Sequence, residues 1–144
     1  MMKVTNFFRW AALAVIIIAS AAETCGREVQ QQHLYMFGFA ASFKDSTVYV
    51  TDIQDVQGAW VDTKTHFLLD RDSYSHQLRR YLEDNRQELS RVCLVVFAPS
   101  KSKAEKKMAK LLKKYNGKKA IPYDIRRLTE AEFRFDAVER TQQE

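Results

Sequence analysis

Three sets of residues in this 144-residue chain have the types or the spacing to do chemistry. The densest is cationic: Lys101, Lys103, Lys106, Lys107, Lys110, Lys113, Lys114, Lys118 and Lys119 face a single acid, Glu105. Lysines three and four residues apart gather on one side of a helix. Such a side attracts anionic lipid headgroups or a polyanion through charge. Lys103, Lys106, Lys107, Lys110, Lys113 and Lys114 are the candidate contacts. No aromatic residue interleaves them to stack on bases, so specific nucleic-acid binding is not expected. The second set is His66 with Asp52, Asp55, Asp62, Asp70 and Asp72, which would serve a small hydrolase or metal-dependent enzyme if the fold brought them together. Asp is also favoured in turns for purely local reasons, and His33, His66 and His76 lack partners at metal-ligand spacing. With no glycine-rich phosphate loop, GxSxG or HExxH, no catalytic residue, cofactor or metal is expected.

The third set is two thiols. Cys93 lies inside the apolar run Val92–Ala98 and reads as a buried, weakly reactive group rather than half of a disulfide. Cys25 is different because of what precedes it. Residues 1–10 carry Lys3 and Arg9 without an acid, and Ala11–Ala22 is an apolar run of 12 residues. A basic start, a short apolar stretch and small residues at its end make a secretory signal. The run is shorter than the roughly 20 residues a spanning helix needs. Two outcomes follow at the junction. Cleavage near Ala22 would release a soluble periplasmic protein. Lipidation of Cys25 would anchor the mature chain to the envelope membrane. The segment resembles a lipobox loosely, with Glu23 and Thr24 departing from the pattern. Lipidation is the preferred expectation, because it accounts for an otherwise unpaired cysteine.

The remaining sequence must supply elements that position these residues. Tyr35, Phe37, Phe39, Ala41 and Phe43 alternate with Leu34, Met36, Gly38, Ala40 and Ser42, so both faces of this strand are apolar or small. Lys44-Asp45-Ser46 predicts a hairpin turn, and the β-branched run Thr47–Val56 predicts the returning strand. Ala59-Trp60-Val61 would extend that meander. A first helix is expected from Asp70 or Asp72 as cap through Tyr74, Leu78, Tyr81 and Leu82 towards Ser90. Strand Val92–Ala98 precedes a second helix, capped by Ser100 or Ser102, whose apolar stripe is Ala104, Met108, Leu111, Leu112 and Tyr115. Ile121–Leu128 reads as a strand, Thr129-Glu130-Ala131-Glu132 as a capping box of one turn, and Phe133-Arg134-Phe135 as an edge strand.

The expected fold is therefore α+β or two-layer α/β. It has a mixed sheet built from an N-terminal hairpin and strand–helix–strand units in the order ββαβαβ, with two helices packed on one face. Its parts would be a signal at 1–24, a polar tether at 25–32, one domain at 33–136 and a frayed tail at 137–144. Val92–Leu128 resembles the second half of the peptidoglycan-binding SPOR-type repeats. That resemblance covers about a quarter of the chain and differs in topology, so no function is carried over. The net charge of +5 falls to +4 without residues 1–24, a balance that tolerates anionic partners without demanding them. The functional expectation is an exported envelope protein anchored through Cys25, with a non-enzymatic domain that binds a partner protein or an envelope component.

Overall fold

The computed structural model describes residues 26–116 and 122–141. The expected export signal, Cys25, Lys118 and Lys119 lie outside the described residues. The fold is α+β, with a mixed sheet and two helices. The elements are β1 (Glu28–Gln30), β2 (Leu34–Ala41), β3 (Thr47–Thr51), β4 (Gln54–Val56), β5 (Trp60–Asp62), α1 (Arg71–Arg86), β6 (Val92–Ala98), α2 (Lys101–Asn116) and β7 (Asp124–Leu128). Strand β2 is the spine. Antiparallel β6 runs along one edge, β3 and β4 share the other, and β7 pairs parallel to β3 outside them.

Phe39 opposes Val50, whereas Met36 opposes Gln54, so four steps on one side match three on the other. The expected Thr47–Val56 strand is thus a single strand carrying a one-residue bulge. Thr51 sits at this bulge, its Oγ1 accepting from Gly38 N–H at 2.8 Å, while Asp52 N–H donates to Leu128 O at 2.9 Å. Strands β6 and β7 run parallel but are separated by β2 and β3, so α2 crosses over the middle of the sheet.

The alternation along β2 decides where the helices go. Leu34, Met36 and Ala40 share a cluster with Tyr74, Leu78 and Leu82 of α1, whereas Phe37 and Phe39 pack with Met108 and Tyr115 of α2. Residues of opposite parity point to opposite faces. The expectation of both helices on one face is therefore corrected: each covers its own face, as a strand apolar on both sides requires. Gly38 permits the closest approach, since a Cβ there would lie 2.6 Å from Leu78 Cδ2.

The chain ends also differ from expectation. Glu28–Gln30, expected in a tether, pairs with Trp60–Asp62 in a separate two-stranded sheet, which also removes β5 from the predicted meander. Phe133 and Phe135 form no edge strand. Both are buried against α1, with Phe133 5.3 Å from the Tyr81 ring and 4.8 Å from Phe135. Their backbone is held by buried Gln54, whose Nε2 donates to Phe133 O at 2.9 Å and whose Oε1 accepts from Phe135 N–H at 2.8 Å. Gln77 repeats the device on Asp136, at 2.9 Å in both directions. Val138 N–H then reaches Tyr74 Oη, and Arg140 bridges Glu28 and Asp70. The tail expected to fray is fastened through Arg140.

Helix starts follow local chemistry unequally. Ser100 Oγ accepts from Lys103 N–H at 3.3 Å and so caps α2. Asp70 occupies the cap position of α1 with a φ of 55° and no side-chain cap bond, because its carboxylate is given to Arg140. The capping box shows its carboxylate half, with Glu132 Oε2 accepting from Thr129 N–H at 2.8 Å.

The Gln54 staple yields a prediction. Gln54→Leu leaves two buried backbone groups without partners and should cost about 2–4 kcal/mol. Urea unfolding would measure the loss. Hydrogen exchange should show Phe135 N–H losing protection before the β2–β6 ladder does.

Candidate functional site: a lysine face and a buried arginine clamp

Helix α2 turns Ala104, Met108, Leu111, Leu112 and Tyr115 to the sheet, and Phe39 and Tyr115 rings meet at 4.9 Å. Packing fixes the rotation of the helix, so Lys103, Lys106, Lys110 and Lys113 form an outward row with steps of three, four and three residues. All four are exposed, as is Lys114. None of these five pairs with a carboxylate among the described residues. Lys107 has a different job. Its Nζ donates to Phe97 O at 2.8 Å and lies 5.5 Å from the Phe97 ring centre, fastening α2 to the edge of β6.

This charge pattern works against the helix that carries it. Like charges three or four residues apart each cost about 0.2–0.5 kcal/mol. The first turn of α2 contains no acid, although the positive end of a helix dipole favours one. Helix α1 obeys the usual rule, with Asp72 in its first turn and Arg86 in its last. Apart from Lys113, which the negative end of the helix favours in the last turn, the row thus lowers the intrinsic stability of α2, and its side chains make no hydrogen bond or ion pair among the described residues in return.

His66 and its aspartates are not brought together. His66 is exposed, while Asp55 pairs with His33 at 2.7 Å, Asp52 with Arg127 at 2.6 Å and Asp70 with Arg140 at 2.9 Å. Asp62 accepts from the Lys64 and Thr65 N–H groups, which hold its carboxyl below the ordinary range. Among the described residues, no group of three His, Cys, Asp or Glu side chains is placed to hold a metal ion. Cys93 is buried, and burial pushes its thiol up from the ordinary value. His76 lines an open groove of about 630 Å³ between α1 and Glu132–Asp136, beside Arg80 and Asp84.

The tightest charged assembly is one that sequence reasoning missed. Arg91, 3 % exposed, stands just before β6. Its Nη2 donates to Asp45 Oδ2 and Glu88 Oε2, both at 2.9 Å; its Nε donates to Glu88 and its Nη1 to Thr47 O at 2.8 Å. The guanidinium also lies 5.1 Å from the Tyr49 ring centre, and Tyr49 Oη donates to Glu88 Oε1 at 2.8 Å. Burial raises the Tyr49 phenol, as does its bond to Glu88. Burial also opposes the Glu88 charge, but the bonds from Tyr49 and Arg91 outweigh it and hold the carboxyl below its usual value. The loop carrying Glu88 is bounded by Gln87 and Ser90, both left-handed with φ of 56° and 63°. Each costs about 1–2 kcal/mol for a non-glycine residue. An arginine that follows the polar stretch Asn85–Glu88 and Ser90 looks like ordinary surface in a sequence. The one available signal was the position of Arg91 directly ahead of a buried strand.

Arg91→Met should cost about 3 kcal/mol in urea unfolding, near the low end for a broken buried pair because Asp45 and Glu88 stay partly in water. The lowered Glu88 contributes stability that is lost as pH falls through its shifted value. The raised Tyr49 contributes stability that is lost as pH rises through its own. Stability should therefore hold between about pH 5 and 9 and fall on both sides, and Tyr49→Phe should remove the contribution of Tyr49 to the alkaline decline. Among the described residues no helix is long and apolar enough to cross a membrane. Comparison of the chain with models of protein families, with curated proteins and with solved structures finds no match.

Proposed function

We propose that this protein is exported to the bacterial envelope, is held at the membrane through a lipid on Cys25, and works by binding rather than catalysis. Its partner is an anionic component of the envelope received on the lysine face of α2. The observation that carries this reading is the exposed row Lys103, Lys106, Lys110 and Lys113, which has no carboxylate partner among the described residues. A row that disfavours its own helix is accounted for by an external anion.

The N-terminal geometry supports the anchor's role. Arg27 N–H donates to Thr63 Oγ1 and Thr63 N–H to Arg27 O, so the folded domain begins two residues after Cys25. A lipid at Cys25 would hold the domain against the bilayer. Strands β1 and β5 pack with the α1 face, because Val61 and Leu68 belong to the cluster of Leu78 and Leu82. The lysine row lies on the other face, turned away from the point of attachment.

Two measurements test the reading. Mass spectrometry of the mature N-terminus should find a diacylglyceryl group on Cys25; an unmodified start at Glu23 would remove the anchor. Replacing Lys106, Lys110 and Lys113 by Gln should abolish retention on an immobilised polyphosphate column at low salt, with the thermal unfolding midpoint kept or slightly raised as like-charge repulsion is relieved. Binding by the parent chain should weaken as salt shortens the screening length from about 10 Å at 0.1 M. Retention that survives the triple substitution would dismiss the lysine face.

A further inference from the structure

Large apolar side chains gather in water at one end of the main sheet. Phe43, at the tip of the β2–β3 hairpin, is 99 % exposed; Leu89 is 71 % exposed, and Val92 and Tyr123 are also open to solvent. The register brings their segments together. Ala41 opposes Val92 across β2 and β6, and Asp124, next to Tyr123, donates its N–H to Ser46 O in the hairpin. Tyr115, at the end of α2, lies 5.0 Å from the Tyr123 ring.

These groups are held rigidly in the open. Arg91 grips Asp45 and Thr47 of the hairpin and Glu88 of the loop that carries Leu89. Ser42 Oγ and Asp45 Oδ1 accept from Lys44 and Thr47 N–H, closing the hairpin on either side of Phe43. The backbone that presents Phe43 is thereby fixed, so binding need order only the ring itself. The charges at this end have one net sign. Asp45 and Glu88 are paired with Arg91, and Asp124 with Arg126. Lys44, Lys113 and Lys114 have no carboxylate partner among the described residues.

From an apolar tip inside a cationic rim, we infer that this end of the domain inserts into the headgroup region of an anionic bilayer. Phe43 and Leu89 enter the interface, and Lys44, Lys113 and Lys114 meet lipid phosphates. Charge complementarity selects this occupant over a second copy, whose identical rim would repel it. The contact extends beyond the proposed anchoring at Cys25. The chain enters from β1 at the Leu34 end of β2, and the tip lies at the other end, about 26 Å away for eight extended residues.

The test uses the full chain carrying Phe43→Trp, a change at a fully exposed position, with the parent chain as the tryptophan background. Vesicles of phosphatidylglycerol with brominated acyl chains should quench the introduced indole and shift its emission to the blue. Phosphatidylcholine vesicles should do neither. Adding K44Q, K113Q and K114Q should raise the lipid concentration for half-maximal quenching at least tenfold. Equal quenching by both lipids, or none by either, overturns the inference. So does a blue shift that appears without lipid and grows with protein concentration, which would assign the tip to a second copy. Polyphosphate retention is measured without lipid, and because Lys113 is common to both sets of substitutions, K106Q with K110Q tests the row alone and K44Q with K114Q the tip alone, so failure of either reading leaves the other standing.

Discussion

One buried guanidinium holds the open end of this fold together. Arg91 joins the β2–β3 hairpin and the loop after α1 to the start of β6, just where the β2–β6 ladder ends at Ala41 and Val92. A buried ion pair adds little net stability over an apolar equivalent, because both charges must first leave water. What it adds is definition: five donors in a fixed plane accept few arrangements of their partners. The left-handed residues Gln87 and Ser90 persist because Glu88, between them, is drawn to that plane from one side and to Tyr49 from another. The bonds that Arg91 and Tyr49 make to Glu88 thus offset both the strain in the loop and the desolvation of the arginine.

The rest of the architecture follows from β2. Its two apolar faces require two covers, and the sequence provides two amphipathic helices at the right separations. Crossing from β6 to β7 over two intervening strands, α2 reaches the face that α1 leaves bare. Once there, its rotation is fixed by Met108, Leu112 and Tyr115, and the orientation of every lysine on it follows. The placement of charge on the surface is in this sense a product of core packing.

Periodicity revealed most of the elements, because burial imposes it directly. The alternation at Tyr35–Phe43, the stripe Tyr74–Leu78–Leu82 and the stripe Ala104–Met108–Leu111 each mark a real strand or helix. The same alternation already showed two apolar faces on β2, and the placement of both helices on one of them overlooked what it implied. Other features leave little trace in a linear reading. A glutamine at 54 looks polar and exposed until its amide is seen to substitute for a missing strand beside Phe133 and Phe135. The pairing of Glu28–Gln30 with Trp60–Asp62 was hidden because three-residue strands carry no usable period. Of the candidate site, the lysines were legible as a cluster, whereas the diversion of Lys107 to Phe97 depended on the exact height of α2 above β6.

The two glutamine staples have a consequence for when this chain can fold. Gln54 meets partners 79 and 81 residues further along, and Gln77 meets one 59 residues further along. Contacts so distant in sequence are slow to form, because a long loop must close before any reward arrives. They also cannot exist until Phe133–Asp136 has been synthesised. A nascent chain of this design lacks, until that point, the segment that seals its α1 face. Under the export proposed above, the α1 face would close only once Phe133–Asp136 had cleared the translocation channel.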